Sequence, residues 1–207
     1  KENLDIVNRW ILSRFYSALK EAGKKLDSYK FNEAANILYG FFWHEFCDWY
    51  LEIIKPNIKN KQNQVVMYKI LDKSLRILHP FMPFITEEIW QRLQGQSPGG
   101  GVPVNSIMIQ PWPHIQEQII DKKLEEEAQS LFGLIKEIRN LRSWIELKPE
   151  KRVMVSVYAH TKAKEKLIKS NCGFIVNLAK LETLNVLSKA KRPTAAISAV
   201  IEEVDIY

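Results

Sequence analysis

His44, Cys47 and Asp48 lie close together and carry metal-ligating side chains. On a helix, spacings of three and four place them along one face. Zinc needs three or four ligands and an outer shell that orients them. No second Cys/His pair is close in sequence, so the reading is a packed cysteine beside a hydrogen-bonded histidine. Glu45, Asp48 and Glu52 offer carboxylates at helical spacing. Without a cleft to serve, they are read as ion-pair partners for Lys or Arg on neighbouring helices. The aromatics Phe41, Phe42, Trp43, Phe46, Trp49 and Tyr50 have rings that could stack on RNA bases. Their spacing spans several helix faces, which makes most of them core. Gly99–Gly101 is followed by neither a Lys-Ser/Thr pair nor a helix, so it reads as a flexible loop and not a phosphate cradle. No serine sits in a nucleophile elbow, and no catalytic constellation emerges.

The chain has 207 residues, 46% apolar and 26% charged, ample for a real core. No uncharged apolar run reaches the length of a membrane helix. The N-terminus, KENLDIVNRW, has no signal-peptide apolar region and no initiator Met, which gives the expectation of a fragment that starts mid-protein. Cys47 and Cys172 lie far apart and form neither a disulfide framework nor a zinc spacing, so a reducing, cytoplasmic setting is expected. Net charge is +6 with a pI near 9.2. Lys162–Arg192 concentrates that excess, with Glu165 and Glu182 as its acids. A basic balance favours polyanionic partners through counterion release, although the same charges also serve as a solvated surface.

Apolar residues at three- and four-residue spacing predict helices over Leu4–Glu21, with Gly23 as its stop, and over Val65–Leu78. Phe31 to about Lys55 reads as one long helix. One apolar stripe is Phe31, Ala35, Leu38, Phe42, Phe46, Trp49 and Ile53; a second includes Tyr39, Trp43 and Tyr50. A helix apolar around most of its girth must be surrounded by others. Pro56 ends it, and Asn57–Gln64 is a polar loop. His79-Pro80 breaks the third helix, and Pro83 opens a fourth to about Leu93. Gln94–Pro103 is a loop, followed by a short extended piece over Ser106–Ile109. Asp121 caps a helix to Arg142. Arg152–Tyr158 alternates as a strand, Thr161–Ser170 and Phe174–Leu181 read as helices, and Glu182–Leu187 and Ala195–Glu203 as strands. The fold class is mainly α: a helix bundle over 1–96, a connection over 97–120, and a helix with a small α+β subdomain over 121–207.

Several segments carry a family resemblance: Asn8-Arg-Trp-Ile-Leu-Ser-Arg14, Tyr29–Ala35, Trp43-His-Glu-Phe-Cys-Asp-Trp-Tyr-Leu-Glu52 with Lys55-Pro56, Leu78–Trp90, Ser106-Ile-Met, Trp112-Pro, and Ile138-Arg-Asn-Leu-Arg142. In order and spacing they resemble the anticodon-binding region of valyl-tRNA synthetases, which are class I aminoacyl-tRNA synthetases. HPFMPFITEEIW is shared with leucyl and isoleucyl relatives, whereas EFCDWYLE followed by Lys-Pro points to the valyl branch. The resemblance implies an anticodon-binding helix bundle followed by a mixed subdomain. It also implies tRNA(Val) and the rest of the synthetase chain, with its catalytic and editing domains, as partners. ATP and magnesium are expected for the parent enzyme and no cofactor for this fragment, which lacks HIGH-like and KMSKS-like signatures.

The same resemblance makes Arg9, Arg14, Lys69 and Arg76 phosphate contacts, and places Leu51 and Glu52 where a bundle helix faces the anticodon. By the same resemblance, the family's first bundle helix and its C-terminal coiled coil are expected to lie outside this sequence, and Ile145–Pro149 departs from the family's usual Val-Pro-Pro turn. Loss of that helix is expected to leave an apolar groove. A monomer is expected, with a homodimer through the groove as the other possibility. The alternative function is a non-enzymatic helical module that buries a partner helix there.

Overall fold

A computed structural model of the chain describes residues 4–95, 105–148, 150–189 and 197–207. The Gly99–Gly101 loop and Pro149 of the departing turn lie outside the described residues. The chain divides into two compact units, Lys1–Glu125 and Glu126–Tyr207.

The first unit is helical. Helix α1 (Ile6–Asp27) starts at Asp5, whose side chain accepts from the Asn8 amide at 2.8 Å. It runs through Gly23, which therefore does not stop it; the end comes at Ser28, with Lys24 and Lys25 in the last turn. Mid-helix glycine costs about 1 kcal/mol, and two cations complement the helix dipole there. Tyr29 then turns the chain in a left-handed conformation, φ 58°.

The long helix expected over Phe31–Lys55 is continuous but not regular. Helix α2 (Phe31–Gly40) passes into a π-helical segment (Phe41–Leu51), then a short α3 (Glu52–Ile54) and a 3-10 turn over Lys55–Asn57. Bonds of the i→i+5 type widen each turn, so the inward face shifts. The buried row is Ala34, Leu38, Phe41, Phe46, Tyr50 and Ile54, with one five-residue step at Phe41 to Phe46. The 3.6-residue stripe through Phe42, Trp49 and Ile53 is therefore corrected: these are half-buried, and Phe31 is exposed. The π turn aligns the rings of Phe46 and Tyr50 at 5.7 Å, while Phe41 meets Phe15 of α1 edge-on at 5.6 Å.

Helix α4 (Lys61–Leu78) begins earlier than its apolar pattern, because the Asn60 side chain caps it by accepting from the Gln62 amide at 2.8 Å. It ends where His79-Pro80 was expected to break it, and α5 (Pro83–Gly95) follows. Trp90 of α5, Leu75 of α4 and Ile107 form a buried cluster. Ile107–Ile109 is a 3-10 turn and not the extended piece expected; the Ser106 hydroxyl caps it by accepting from the Met108 amide at 3.2 Å.

Helix α6 (Lys122–Trp144) carries a buried face of Leu124, Ala128, Leu131, Ile135, Ile138 and Leu141. It continues into the second unit, where it joins β1 (Met154–Ala159), α7 (Lys162–Ser170), α8 (Cys172–Leu178), β2 (Thr183–Val186), β3 (Ala199–Ile201) and β4 (Val204–Ile206). The sheet order is β2-β1-β4-β3. β1 and β2 are parallel, with Val155 opposite Leu184, and α7 and α8 make the crossover between them. β4 pairs antiparallel with both β1 and β3. Of the strand expected over Ala195–Glu203, Ala195 and Ala196 lie outside the described residues and β3 covers Ala199–Ile201. Glu202, at φ 45°, turns the chain into β4, a strand the sequence pattern did not separate. Alternation in β1 sends Val155, Val157 and Ala159 inward. Arg142 is buried; its two Nη groups donate to the carbonyls of Lys180 and Lys151 at 2.9 and 2.8 Å, joining the loops that enter β2 and β1.

Candidate nucleic-acid interface

A polar relay inside the apolar core fixes one end of the first unit. The Tyr50 hydroxyl donates to Asn8 Oδ1 at 2.7 Å, Asn8 Nδ2 donates to Asn63 Oδ1 at 2.8 Å, and Asn63 Nδ2 donates to the Asn57 carbonyl at 3.0 Å. Burial, with Asp5 nearby, pushes the Tyr50 phenol well above its ordinary value, so it stays a donor. The relay brings the start of α1, the end of the π segment and the start of α4 together. Arg9, Leu51 and Glu52, each next to a relay residue or nearly so, share that end. Lys69 lies six residues beyond Asn63 on α4, or about 9 Å, and Arg76 about 20 Å along the same helix.

The six residues predicted for RNA contact divide by what they already touch. Arg14 holds Glu45 through Nε and Nη2 at 2.6 and 2.8 Å, and donates from Nη1 to Glu125 at 2.9 Å. Its hydrogen bonds to Glu45 raise its pKa further, against the effect of burial. Glu125 accepts from the Ser13 and Ser17 hydroxyls at 2.5 and 2.7 Å and from Lys122 at 3.0 Å. Burial alone would push this carboxyl up, but the hydrogen bonds from Ser13, Ser17, Lys122 and Arg14 outweigh it and bring the group to about 2. Arg14 is thus a brace between helices.

Arg76 is similar, bonded to Asp72 at 2.8 Å. Asp72 also accepts from Trp90 Nε1 at 2.8 Å and from Gln94 Nε2 at 3.3 Å. Arg9 is more open: its side chain is 54% exposed and meets Asp121 at 3.3 Å. Glu52 is exposed and pairs with Lys55 at 3.2 Å, and Leu51 is half-buried. Lys69 is exposed, with no carboxylate partner among the described residues.

The other candidates also have places. His44 Nδ1 lies 3.3 Å from Asp48 Oδ2 on the surface. Cys47 is half-buried, and burial, then Asp48, raises its thiol pKa. Among the described residues no three His, Cys, Asp or Glu side chains converge as a metal site. No described helix is long and apolar enough to cross a membrane. Trp43 is half-exposed and stacks with Tyr39 at 6.2 Å and 4°; the π step turns it outward, which a 3.6-residue reading could not show. Lys61 is exposed on α4, in the four-residue row Lys61, Val65, Lys69, Lys73 along one face of the helix.

The arrangement offers accessible cations, a basic net charge and surface aromatics, which suit contact with a polyanion. Residues 8–158 match the family described as the anticodon-binding domain of tRNA ligase. The chain belongs to that family.

The domain is also similar, along its whole length, to valine–tRNA ligases. It is 39% identical to that of Thermotoga maritima over all of this chain and 23% of that protein. It is 36% identical to the Syntrophotalea carbinolica ligase over 98% of the chain and 23% of the protein, and 38% identical to the Fervidobacterium nodosum ligase over 99% and 22%. The domain therefore spans less than a quarter of the length of these curated relatives.

Proposed function

We propose that the chain binds the anticodon arm of tRNA(Val) and, within a cytoplasmic valine–tRNA ligase, holds that tRNA so that its acceptor end reaches a distant catalytic domain. The observation that carries this reading is the match of the chain, from end to end, to one region of valine–tRNA ligases. The geometry supports it: Arg9 and Lys69 are accessible cations, and Leu51 and Glu52 lie at the same end of the bundle as Arg9. Phosphate contacts from the cations set position, while base contacts carry the sequence information. Glu52 at the helix end can accept from a base amino group, and Leu51 can pack on a base face. ATP and magnesium belong, on this reading, to the catalytic part of the parent, and the domain acts as a monomer.

The test is the affinity of this chain for tRNA(Val) at several salt concentrations, beside a tRNA altered only in its anticodon. Tighter binding of the unaltered tRNA, with an affinity that falls steeply as salt rises, is expected. Equal and salt-insensitive binding of both overturns the reading.

A further inference from the structure

The relay of Tyr50, Asn8 and Asn63 marks one end of the first unit, and the helices run away from it. α1 continues for 22 residues, about 33 Å. α2 begins beyond the left-handed turn at Tyr29 and brings the chain back, while α4 runs out from Asn63 to Leu78, about 22 Å. The turn from α4 into α5 therefore lies at the far end, away from Arg9, Leu51 and Glu52. Large apolar side chains of that turn and of the first turns of α5 face solvent. Phe84 is 90% exposed and Ile85 54%, and Met82 and Ile89 are exposed as well.

Glu87 extends this surface. It stands three residues after Phe84, on the same face of α5. Its carboxylate accepts from the Ser106 hydroxyl at 2.7 Å and from the Ile107 amide at 3.2 Å. Ile107 is itself buried against Trp90 and Leu75. These contacts hold the Ile107–Ile109 turn against α5 and leave Met108 76% and Ile109 68% exposed. An apolar patch held in place and left open to water marks a contact surface. Its charges are few: Arg92 is the one Lys or Arg in residues 79–95 and 105–112, and it pairs with Glu88 at 2.7 Å. Nucleic acid is gripped by cations free to neutralise phosphates, so the patch does not suit RNA. It fits an apolar protein surface without net charge.

We infer that Phe84, Ile85, Met108 and Ile109 anchor the bundle on the remainder of the valine–tRNA ligase polypeptide, at the end opposite the anticodon contacts. The inference rests on the reading of the chain as one region of such a ligase. The chain covers 23% of the Thermotoga maritima ligase, so most of such a polypeptide lies outside it. Surface on the same polypeptide meets the patch at a high effective concentration. A small apolar area then suffices, where a free partner needs a larger one. A second copy of the chain lacks that advantage. With the anchor at one end and RNA contacts at the other, the helices of the first unit set a fixed distance between the anticodon arm and the rest of the ligase.

The experiment uses the whole ligase that contains this chain, with a benzophenone side chain at position 84, irradiated and mapped by mass spectrometry. Cross-links to ligase residues outside this chain are expected. Cross-links only to tRNA, only between two copies of the ligase, or to nothing overturn the inference. The second measurement is on F84S/M108S. Both positions are exposed, so this chain alone is expected to keep its thermal midpoint and its tRNA(Val) affinity when it carries the pair. In the whole ligase the same pair is expected to lower kcat/KM for aminoacylation about tenfold or more by misplacing the tRNA, with valine-dependent ATP–pyrophosphate exchange unchanged. Unchanged aminoacylation overturns the anchor and leaves the RNA reading in place. If the chain alone binds no tRNA while the cross-link to the rest of the ligase forms, the RNA reading fails and the anchor stands.

Discussion

Replacing Glu125 with glutamine tests the brace that joins α1, the π segment and the start of α6. In the folded chain this carboxyl titrates at about 2 against an ordinary 4.5. At roughly 1.4 kcal/mol for each pH unit of separation, it contributes about 3 kcal/mol at neutral pH. Glutamine keeps one oxygen for Ser13 or Ser17 but cannot receive both cations, so the expected loss is about 2–3 kcal/mol. The sign with pH follows from the lowered folded value. The contribution is complete above the unfolded value near 4.5 and is lost as pH falls toward 2, with less than half surviving at about pH 3. The assay is urea unfolding followed by tryptophan fluorescence, from neutral pH to about pH 3. Trp10, Trp43, Trp49, Trp90 and Trp112 all precede Glu125, so the signal reports mainly on the first unit. A variant within about 0.5 kcal/mol of the parent at neutral pH, or a deficit that does not shrink on acidification, refutes the argument.

Other substitutions have defined outcomes. Tyr50→Phe leaves Asn8 Oδ1 without its buried donor and is expected to lower stability by about 1–3 kcal/mol in the same urea assay. Trp90→Phe removes an indole donor from Asp72; a loss of about 1–3 kcal/mol is expected, and a neutral result removes that hydrogen bond from the account. Gly23→Ala should stabilise by about 0.5–1 kcal/mol, because Gly23 is inside α1 with open space around its added methyl group; a lower thermal midpoint contradicts the helical assignment. Arg9→Gln should reduce the salt slope of tRNA affinity by about 1 while leaving stability nearly unchanged, whereas Arg14→Gln should destabilise the fold.

Much of the architecture was legible because it is written in short-range pattern. The spacing of Ile11, Phe15 and Ala18 marks α1, and the alternation of Val155 and Val157 marks β1. Pro83 marks the start of α5. What escaped depends on partners distant in sequence. The π segment arises where Phe41 packs on Phe15 and Tyr50 reaches Asn8, and a fixed helical period cannot anticipate the extra residue. Arg14 looks like a free cation until folding brings it Glu45, 31 positions away, and Glu125, 111 away. The same limit applies to Arg76, whose partner Asp72 is local but is itself held by Trp90 and Gln94. Strand β4 is only three residues long, too short for alternation to separate it from β3. Family likeness reaches further than pattern does: it nominates Leu51, Glu52 and Lys69 for RNA contact, which no local rule would pick out.

The central claim is that this chain grips the anticodon arm. Hydroxyl-radical footprinting of tRNA(Val), with and without the chain, tests it directly. Protection confined to the anticodon stem and loop, and diminished by Arg9→Gln together with Lys69→Gln, is the predicted result. Protection of the acceptor arm in its place, or no protection at concentrations where the chain and tRNA co-elute, contradicts it.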